Sequence, residues 1–96
     1  MRFVWDENKS RTNLSKHGIS FATAAKVFDD PRTLSFPERV VEGELRWNSI
    51  GWAEDVPVML SIAHTISEGG IEEVIRIISA RKATPRERRQ YEEGDY

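Results

Sequence analysis

Two neighbouring stretches are apolar at almost every position, and they constrain the fold more than any other feature. They are VPVMLSIAHT, at residues 56–65, and VIRIIS, at residues 74–79. A strand with one solvated face alternates apolar and polar residues, whereas a strand covered on both faces is apolar throughout. We therefore predict that these segments form the central strands of a sheet.

The remaining strands are predicted from runs of β-branched and aromatic residues between turn signals. The predicted strands cover residues 2–5, 33–37, 44–52, 56–66 and 71–80, and the turn signals lie at residues 37–43, 54–55 and 68–70. Because short turns connect successive strands as hairpins, we expect an antiparallel sheet.

Two helices are predicted between the first and second strands. Asp6 can cap a polar helix that runs to His17 and ends at Gly18, and its low apolar content places it at the surface. Ser20 can cap the second helix, which ends before Pro31. Its apolar stripe comprises Phe21, Ala24, Ala25 and Phe28.

A third helix is predicted over residues 85–93. Thr84 supplies the N-cap, Pro85 occupies the first helical position, and Glu87 completes a capping box. The chain thus reads as α+β, with an N-terminal strand and two helices, an antiparallel sheet and a C-terminal helix.

Composition limits the class of protein. The 96 residues suit a single domain over 1–96, and 39% hydrophobic residues suffice for one core. The chain contains no cysteine and no apolar run of membrane-spanning length, so we expect a cytoplasmic protein without membrane association. The net charge of −2 argues against binding nucleic acid by bulk attraction.

The segment RIISARKATPRERRQYEE concentrates positive charge where a buried strand meets a capped helix. Arg76, Arg81 and Lys82 lie on the strand side of this junction. Helix amides and side-chain cations together favour phosphate there. Three further arginines are more simply explained as a solvated run, namely Arg86, Arg88 and Arg89.

Arg76 interrupts an apolar strand, so it should emerge on an incompletely covered sheet face, unless it forms a buried ion pair. His64 lies in the neighbouring strand and could approach Arg76. As the residue that titrates nearest neutrality, His64 is a candidate proton carrier, although a hydrogen-bonded core histidine is the alternative.

Three other cations are candidates for contacting an anionic ligand. Lys16 and His17 occupy the last turn of the first helix, where the helix dipole also stabilises cations. Arg46 shares a strand face with Asn48 and could line the same sheet surface. The alternative is that Arg46 is an edge-strand charge that discourages aggregation. With two distant histidines and no cysteine, the sequence predicts no metal site and no cofactor.

Three stretches together resemble the BrnT family of RelE-like toxins: VWDENKSRTNLSKHGISFATAAKVFDDP, LRWNSIG and RIISARKATPRERRQYEE. The resemblance runs from Phe3 to Glu93. It implies a RelE-like, microbial RNase-type fold and an endoribonuclease that inhibits translation and growth. It also implies a cognate ribbon-helix-helix antitoxin of the BrnA type, with DNA contacted only indirectly through that antitoxin.

The resemblance extends to individual positions in this chain. It implies catalytic roles for Arg76, Arg81, Lys82 and Glu87, with His64 matching loosely, and RNA binding by Lys16, His17, Arg46 and Tyr91. Because the sequence offers no metal ligands, cleavage is expected to be metal-free. Stabilisation of the phosphorane is assigned to Arg76, Arg81 and Lys82, and positioning of the RNA to Arg46 and Lys16. In this chain, the segment SEGGIEE is expected to lengthen the last hairpin, which is usually short in the family.

Proton transfer is left open among His64, His17, Glu87, Lys82 and Tyr91. The alternative to a ribonuclease is a noncatalytic module whose basic surface binds a partner or nucleic acid. Growth arrest on expression, lost when Arg81 and Lys82 are replaced, would separate these functions.

Overall fold

A computed structural model describes residues 1–94 of the chain. The strands are β1 (Arg2–Val4), β2 (Leu34–Val41), β3 (Glu44–Gly51), β4 (Leu60–Gly69) and β5 (Glu72–Lys82); the helices are α1 (Glu7–His17), α2 (Phe21–Ala25) and α3 (Pro85–Glu93), with a 3-10 turn at Lys26–Asp29 after α2. Within the described range, no helix has the length and apolar character needed to cross a membrane.

The five strands form one mixed sheet in the order β1-β5-β4-β3-β2. The pairs β2–β3, β3–β4 and β4–β5 are antiparallel, as expected, but β1 runs parallel to β5. The prediction of a wholly antiparallel sheet is therefore wrong. Turn signals identify only hairpin partners, and β1 leads directly into α1, so tertiary packing selects its partner.

β4 and β5 are interior strands, as their apolar sequences predict. Leu60, Ile62 and Ile77 are buried on the face covered by α2, where they pack with Phe21 and Ala24. The predicted apolar stripe is confirmed, because Ala25 and Phe28 also pack against this cluster. The opposite face of the sheet carries polar side chains, and α3 covers only one end of it.

The β2–β3 hairpin is longer than the sequence indicated. β2 continues through Pro37, where the register shifts before Arg39. An edge strand tolerates a proline at such a bulge, so the predicted loop over residues 37–43 is wrong. The turn is formed by Glu42 and Gly43, both with positive φ (51° and 78°), which matches the right-handed twist of the strands.

β4 begins four residues later than predicted, at Leu60 rather than residue 56. Residues 52–59 form a loop in which Asp55 has a positive φ of 69° and the Val56 amide donates to the Ala53 carbonyl. At its other end the strand extends to Gly69. The SEGGIEE segment therefore lengthens the strands of the last hairpin, while its turn has two residues, Gly70 and Ile71.

Polar contacts hold α1 against β5. The Asn13 amide donates to the Ala80 carbonyl (2.9 Å) and accepts from the Ala80 amide (3.2 Å), much as a neighbouring strand would. Ser10 Oγ accepts a hydrogen bond from the Phe21 amide (2.9 Å), which joins α1 to α2. Leu14, the one strongly apolar residue of α1, is 51% exposed. This docking brings the C-terminal half of α1 beside the end of β5.

Candidate active site

The sheet face opposite α2, called the open face below, is organised by the strand register into transverse rows. Arg39 pairs with Arg46, and Thr65 pairs with Arg76. The β3–β4 register brings these pairs into one row. We call Arg39, Arg46 and Arg76 the arginine row.

Two further rows follow towards α3. The middle row is Phe36, Asn48, Ala63 and Ser79, and the row beside α3 is Leu34, Ile50, Ser61 and Arg81. Alternate residues of a strand share a face, so Arg81 and Ser79 both lie on the open face. The unpaired residue Ile78 shifts this alternation by one position, which places Arg76 on the open face as well.

Arg81 is fixed at the α3 end of this face by the carboxylate of Glu87. Its Nη1 donates to Glu87 Oε1 (2.8 Å) and its Nη2 to Oε2 (3.1 Å), a bidentate pair. The Arg81 side chain remains 43% exposed, whereas that of Glu87 is 12% exposed. The guanidinium is therefore held rigidly while one side of it faces solvent.

Three other groups hold Glu87 in place. The Thr84 amide donates to Oε1 (2.8 Å), while Asn48 Nδ2 (3.1 Å) and Ser61 Oγ (3.2 Å) donate to Oε2. Ser61 also donates to Asn48 Oδ1 (2.9 Å). We call Arg81, Glu87, Asn48 and Ser61 the Glu87 network.

The network fixes the protonation states of both charged residues. Burial acts to raise the pKa of Glu87, but hydrogen bonds from Arg81 and the Thr84 amide outweigh it and lower this pKa to about 2. The hydrogen bond to Glu87 raises the pKa of Arg81. At neutral pH the pair is thus a fixed cation beside a carboxylate that does not readily accept a proton.

The predicted capping box of α3 is present. Glu87 N donates to Thr84 Oγ1 (3.1 Å), and the Glu87 carboxylate accepts from the Thr84 amide. These two amides are consequently engaged within the protein. The positive charge offered at this junction comes chiefly from the Arg81 side chain rather than from orphan helix amides.

Arg76 and Arg46 lie at the other end of the open face, around Glu44. Arg76 Nη2 contacts Glu44 Oε1, and Arg46 Nε lies 3.6 Å from the same oxygen. The hydrogen bond from Arg76 lowers the pKa of Glu44. Arg76 thus emerges on the open face as predicted, in a partly exposed ion pair rather than a buried one.

His64 faces the opposite way. It is fully buried, its Nε2 lies 2.7 Å from Ser49 Oγ, and its ring meets Phe28 edge-on at 5.0 Å. The expected approach to Arg76 is wrong, because Arg76 pairs with Thr65, the next residue, on the other face. Burial lowers the pKa of His64, as it does for a core histidine.

Tyr91 is buried one helical turn after Glu87, and its hydroxyl donates to Asp30 Oδ2 (2.7 Å). Burial and this hydrogen bond raise the pKa of Tyr91 to about 12. Three candidate residues are exposed near the ends of their elements: Lys16 and His17 on α1, and Lys82 on β5. Lys82 follows Arg81 directly, so strand alternation directs its side chain to the other face.

Sequence reasoning missed three residues of this surface. The sequence indicates Asn48 only as a neighbour of Arg46, and alternation does place both on one face. Ser61 is a polar residue within an apolar run, which is itself a signal of a buried hydrogen bond. Arg39 falls within the wrongly predicted loop.

Comparison with known proteins bears on this geometry. Residues 5–87 match the family model described as ribonuclease toxin, BrnT, of type II toxin-antitoxin system. A search of curated protein sequences gave no match. The matched range contains the arginine row and all of the Glu87 network and ends at Glu87. The chain therefore belongs to the BrnT family of ribonuclease toxins, the toxic partners of type II toxin–antitoxin modules.

Proposed function

We propose that this toxin is an endoribonuclease that cleaves RNA without a metal ion, at the α3 end of the open face. One observation carries the proposal: Arg81, held by two hydrogen bonds to a buried carboxylate, still presents its guanidinium to solvent. A rigid, partly desolvated cation is what stabilises charge that develops in a transition state. Cleavage of RNA would inhibit translation and growth, and we place the activity in the cytoplasm.

In the proposed reaction the RNA supplies its own nucleophile. The 2′-oxygen attacks the adjacent phosphorus, and the bond from phosphorus to the 5′-oxygen breaks. The products are a 2′,3′-cyclic phosphate and a 5′-hydroxyl. Arg81 neutralises the phosphorane oxygens. The side chain of Lys82, directed to the other face, would reach around the end of β5 to add a second positive charge.

Proton transfer is assigned to exposed groups. Glu87, with a pKa of about 2, is a weak base, and Tyr91, with a pKa of about 12, is a weak acid engaged by Asp30. His64 is fully buried. His17 is solvent-accessible on α1, which docks beside the end of β5, and it is therefore the better candidate for proton transfer. Lys82 is also accessible, but its side chain is directed to the other face and would have to reach around the end of β5.

The proposal includes neutralisation by a ribbon-helix-helix antitoxin that covers the open face. The cationic side chains of this face attract RNA, and an acidic segment of a partner protein would be attracted by the same charges. Inhibition would be steric. The toxin would then contact DNA only through its antitoxin.

The direct test is RNA cleavage by the purified chain in excess EDTA. We expect cleavage to continue, with 2′,3′-cyclic phosphate ends detected by mass spectrometry, and RNA with 2′-deoxyribose at the cleaved position to resist. Activity that disappears with EDTA and returns with Mg²⁺ would contradict the metal-free mechanism.

A further inference from the structure

We propose that the arginine row is a second phosphate-binding subsite, which holds the backbone of single-stranded RNA away from the bond being cleaved. This inference rests on the proposed ribonuclease function, with the reacting phosphate at Arg81. It reassigns Arg76 from the reaction itself to substrate binding, and it adds Arg39 to the RNA-binding surface.

The first argument is separation. Arg81 pairs with Ser61 and Arg76 pairs with Thr65, so the two rows lie four residues apart along β4. At ~3.3 Å per residue this is about 13 Å.

The side chains also point apart, which increases the separation. Arg81 is held by Glu87 on α3. Arg76 contacts Glu44, which lies beyond Arg46 at the β2–β3 turn, away from α3. Convergence of both guanidinium groups on one phosphate would require both ion pairs to break.

The second argument is unbalanced charge. Like charges directly opposite one another on paired strands destabilise a sheet, and Arg39 is directly opposite Arg46. Among residues 1–94, Glu44 is the one carboxylate within salt-bridge distance of Arg46 or Arg76. Arg46 and Arg76 therefore share one carboxylate, and Arg39 makes no salt bridge among the described residues. The row is left with a net positive charge that an anion would offset.

The third argument concerns the terminal nitrogens of Arg46. Its Nε is buried and already faces Glu44 Oε1 at 3.6 Å. Within residues 1–94, the Nη1 and Nη2 atoms of Arg46 make no salt bridge. A planar guanidinium binds phosphate oxygens through such terminal nitrogens.

Small side chains line the surface between Arg81 and Arg76. On β4 and β5 the middle row consists of Ala63 and Ser79, and Ser79 is exposed. Small side chains leave room for a single RNA strand to lie across the sheet from Arg81 to the arginine row. The ligand class is thus an RNA chain that extends beyond the two nucleotides joined by the cleaved bond.

The experiment compares substrate lengths. The cleaved bond is first mapped in a long transcript. Two oligoribonucleotides then carry this bond, one as a dinucleotide and one with four extra nucleotides on each side. Initial rates give kcat/KM for the wild type and for the Arg46→Gln/Arg76→Gln double variant, and Arg11→Gln removes one exposed cation from α1 as the matched control.

We expect the double variant to lose about tenfold in kcat/KM on the long oligonucleotide and no more than about twofold on the dinucleotide. The slope of log kcat/KM against log salt concentration should flatten by about 0.7 for each phosphate that the variant no longer binds. Arg11→Gln should match the wild type on both. Arg39→Gln, on the exposed edge strand, should show a smaller loss on the long substrate alone, even if the double variant fails to fold.

Equal losses on both lengths in Arg39→Gln and in a folded double variant would overturn the inference, as would no loss on either. A wild type that cleaves no RNA at all would instead refute the proposed function, and the inference with it. Cleavage of the dinucleotide by the wild type separates these two failures.

Discussion

The carboxylate of Glu87 accepts five hydrogen bonds, two of them from the guanidinium of Arg81 at 2.8 and 3.1 Å. This links a residue of α3 to the end of a central strand. The same carboxylate caps α3 and accepts hydrogen bonds from Ser61 and Asn48 of the sheet. One side chain therefore determines both where α3 sits and where the guanidinium points.

The first prediction concerns Glu87→Gln, which keeps the shape of the side chain but removes its charge. We expect about 2 kcal/mol of lost stability, because an amide replaces one acceptor with a donor and leaves Arg81 partly unpaired. Cleavage should fall as well, since the guanidinium loses its fixed orientation. Urea unfolding at pH 7 and single-turnover cleavage measure the two effects.

The same variant should also alter acid stability. The pKa of Glu87 is about 2 in the folded protein against an ordinary value of 4.5, so its contribution is present above about pH 4.5 and is lost as the pH falls towards 2. The wild type should therefore lose its advantage over Glu87→Gln across this interval. A constant difference in unfolding free energy from pH 5 to pH 2 would contradict the assignment.

The second prediction concerns Ser61, which donates to both Glu87 and Asn48. Ser61→Ala should destabilise the protein by about 1–2 kcal/mol and reduce kcat several-fold while leaving KM nearly unchanged, because the residue positions Arg81 without reaching the RNA. Ser61→Thr retains the hydroxyl and should recover most of the lost rate. Failure of threonine to recover any activity would argue that packing, rather than the hydrogen bond, is what matters.

The third prediction separates the two roles considered for His64. Burial lowers its pKa, so on acidification the unfolded chain takes up a proton before the folded protein does. The wild type should therefore lose stability as the pH falls below about 6.5, the ordinary histidine value. His64→Gln should lack this component and retain cleavage activity per folded molecule. An active-site proton carrier would instead show a cleavage rate that collapses in this variant.

The fourth prediction concerns the antitoxin. If the antitoxin covers the open face, its binding should protect the amides of residues 76–84 from hydrogen exchange, and Arg81→Ala should weaken the complex as well as the enzyme. Arg89→Ala, which removes an exposed cation from α3, serves as the control. Protection confined to residues 44–52, with unchanged affinity for Arg81→Ala, would place the antitoxin on a remote surface instead.

Local signals in the sequence predicted the elements that carry Arg81 and Glu87. The apolar run before Arg81 indicated an interior strand, and the Thr84–Glu87 spacing indicated the capping box; both are present. These features depend on residues close in sequence. Their physical causes, burial of a strand and satisfaction of helix amides, act locally.

Features that depend on distant residues escaped prediction. No turn signal in the sequence predicts the parallel pairing of β1 with β5. The partners of Glu87 on β3 and β4 are 39 and 26 residues away in the sequence. That His64 and Arg76 lie on opposite faces depends on the irregularity near Ile78 of β5, which shifts the β4–β5 register. A one-residue change of this kind exchanges the two faces of a strand.

The most direct test of the account is the cleavage rate of Arg81→Ala in EDTA, under single-turnover conditions with a mapped RNA substrate. We expect a fall of about a hundredfold, the loss associated with removing one charge donor from a transition state, with Lys82→Ala losing about tenfold. Arg89→Ala should retain wild-type activity, and far-UV circular dichroism should show all three variants folded. Wild-type cleavage by a folded Arg81→Ala protein would contradict the central claim and move the active site elsewhere.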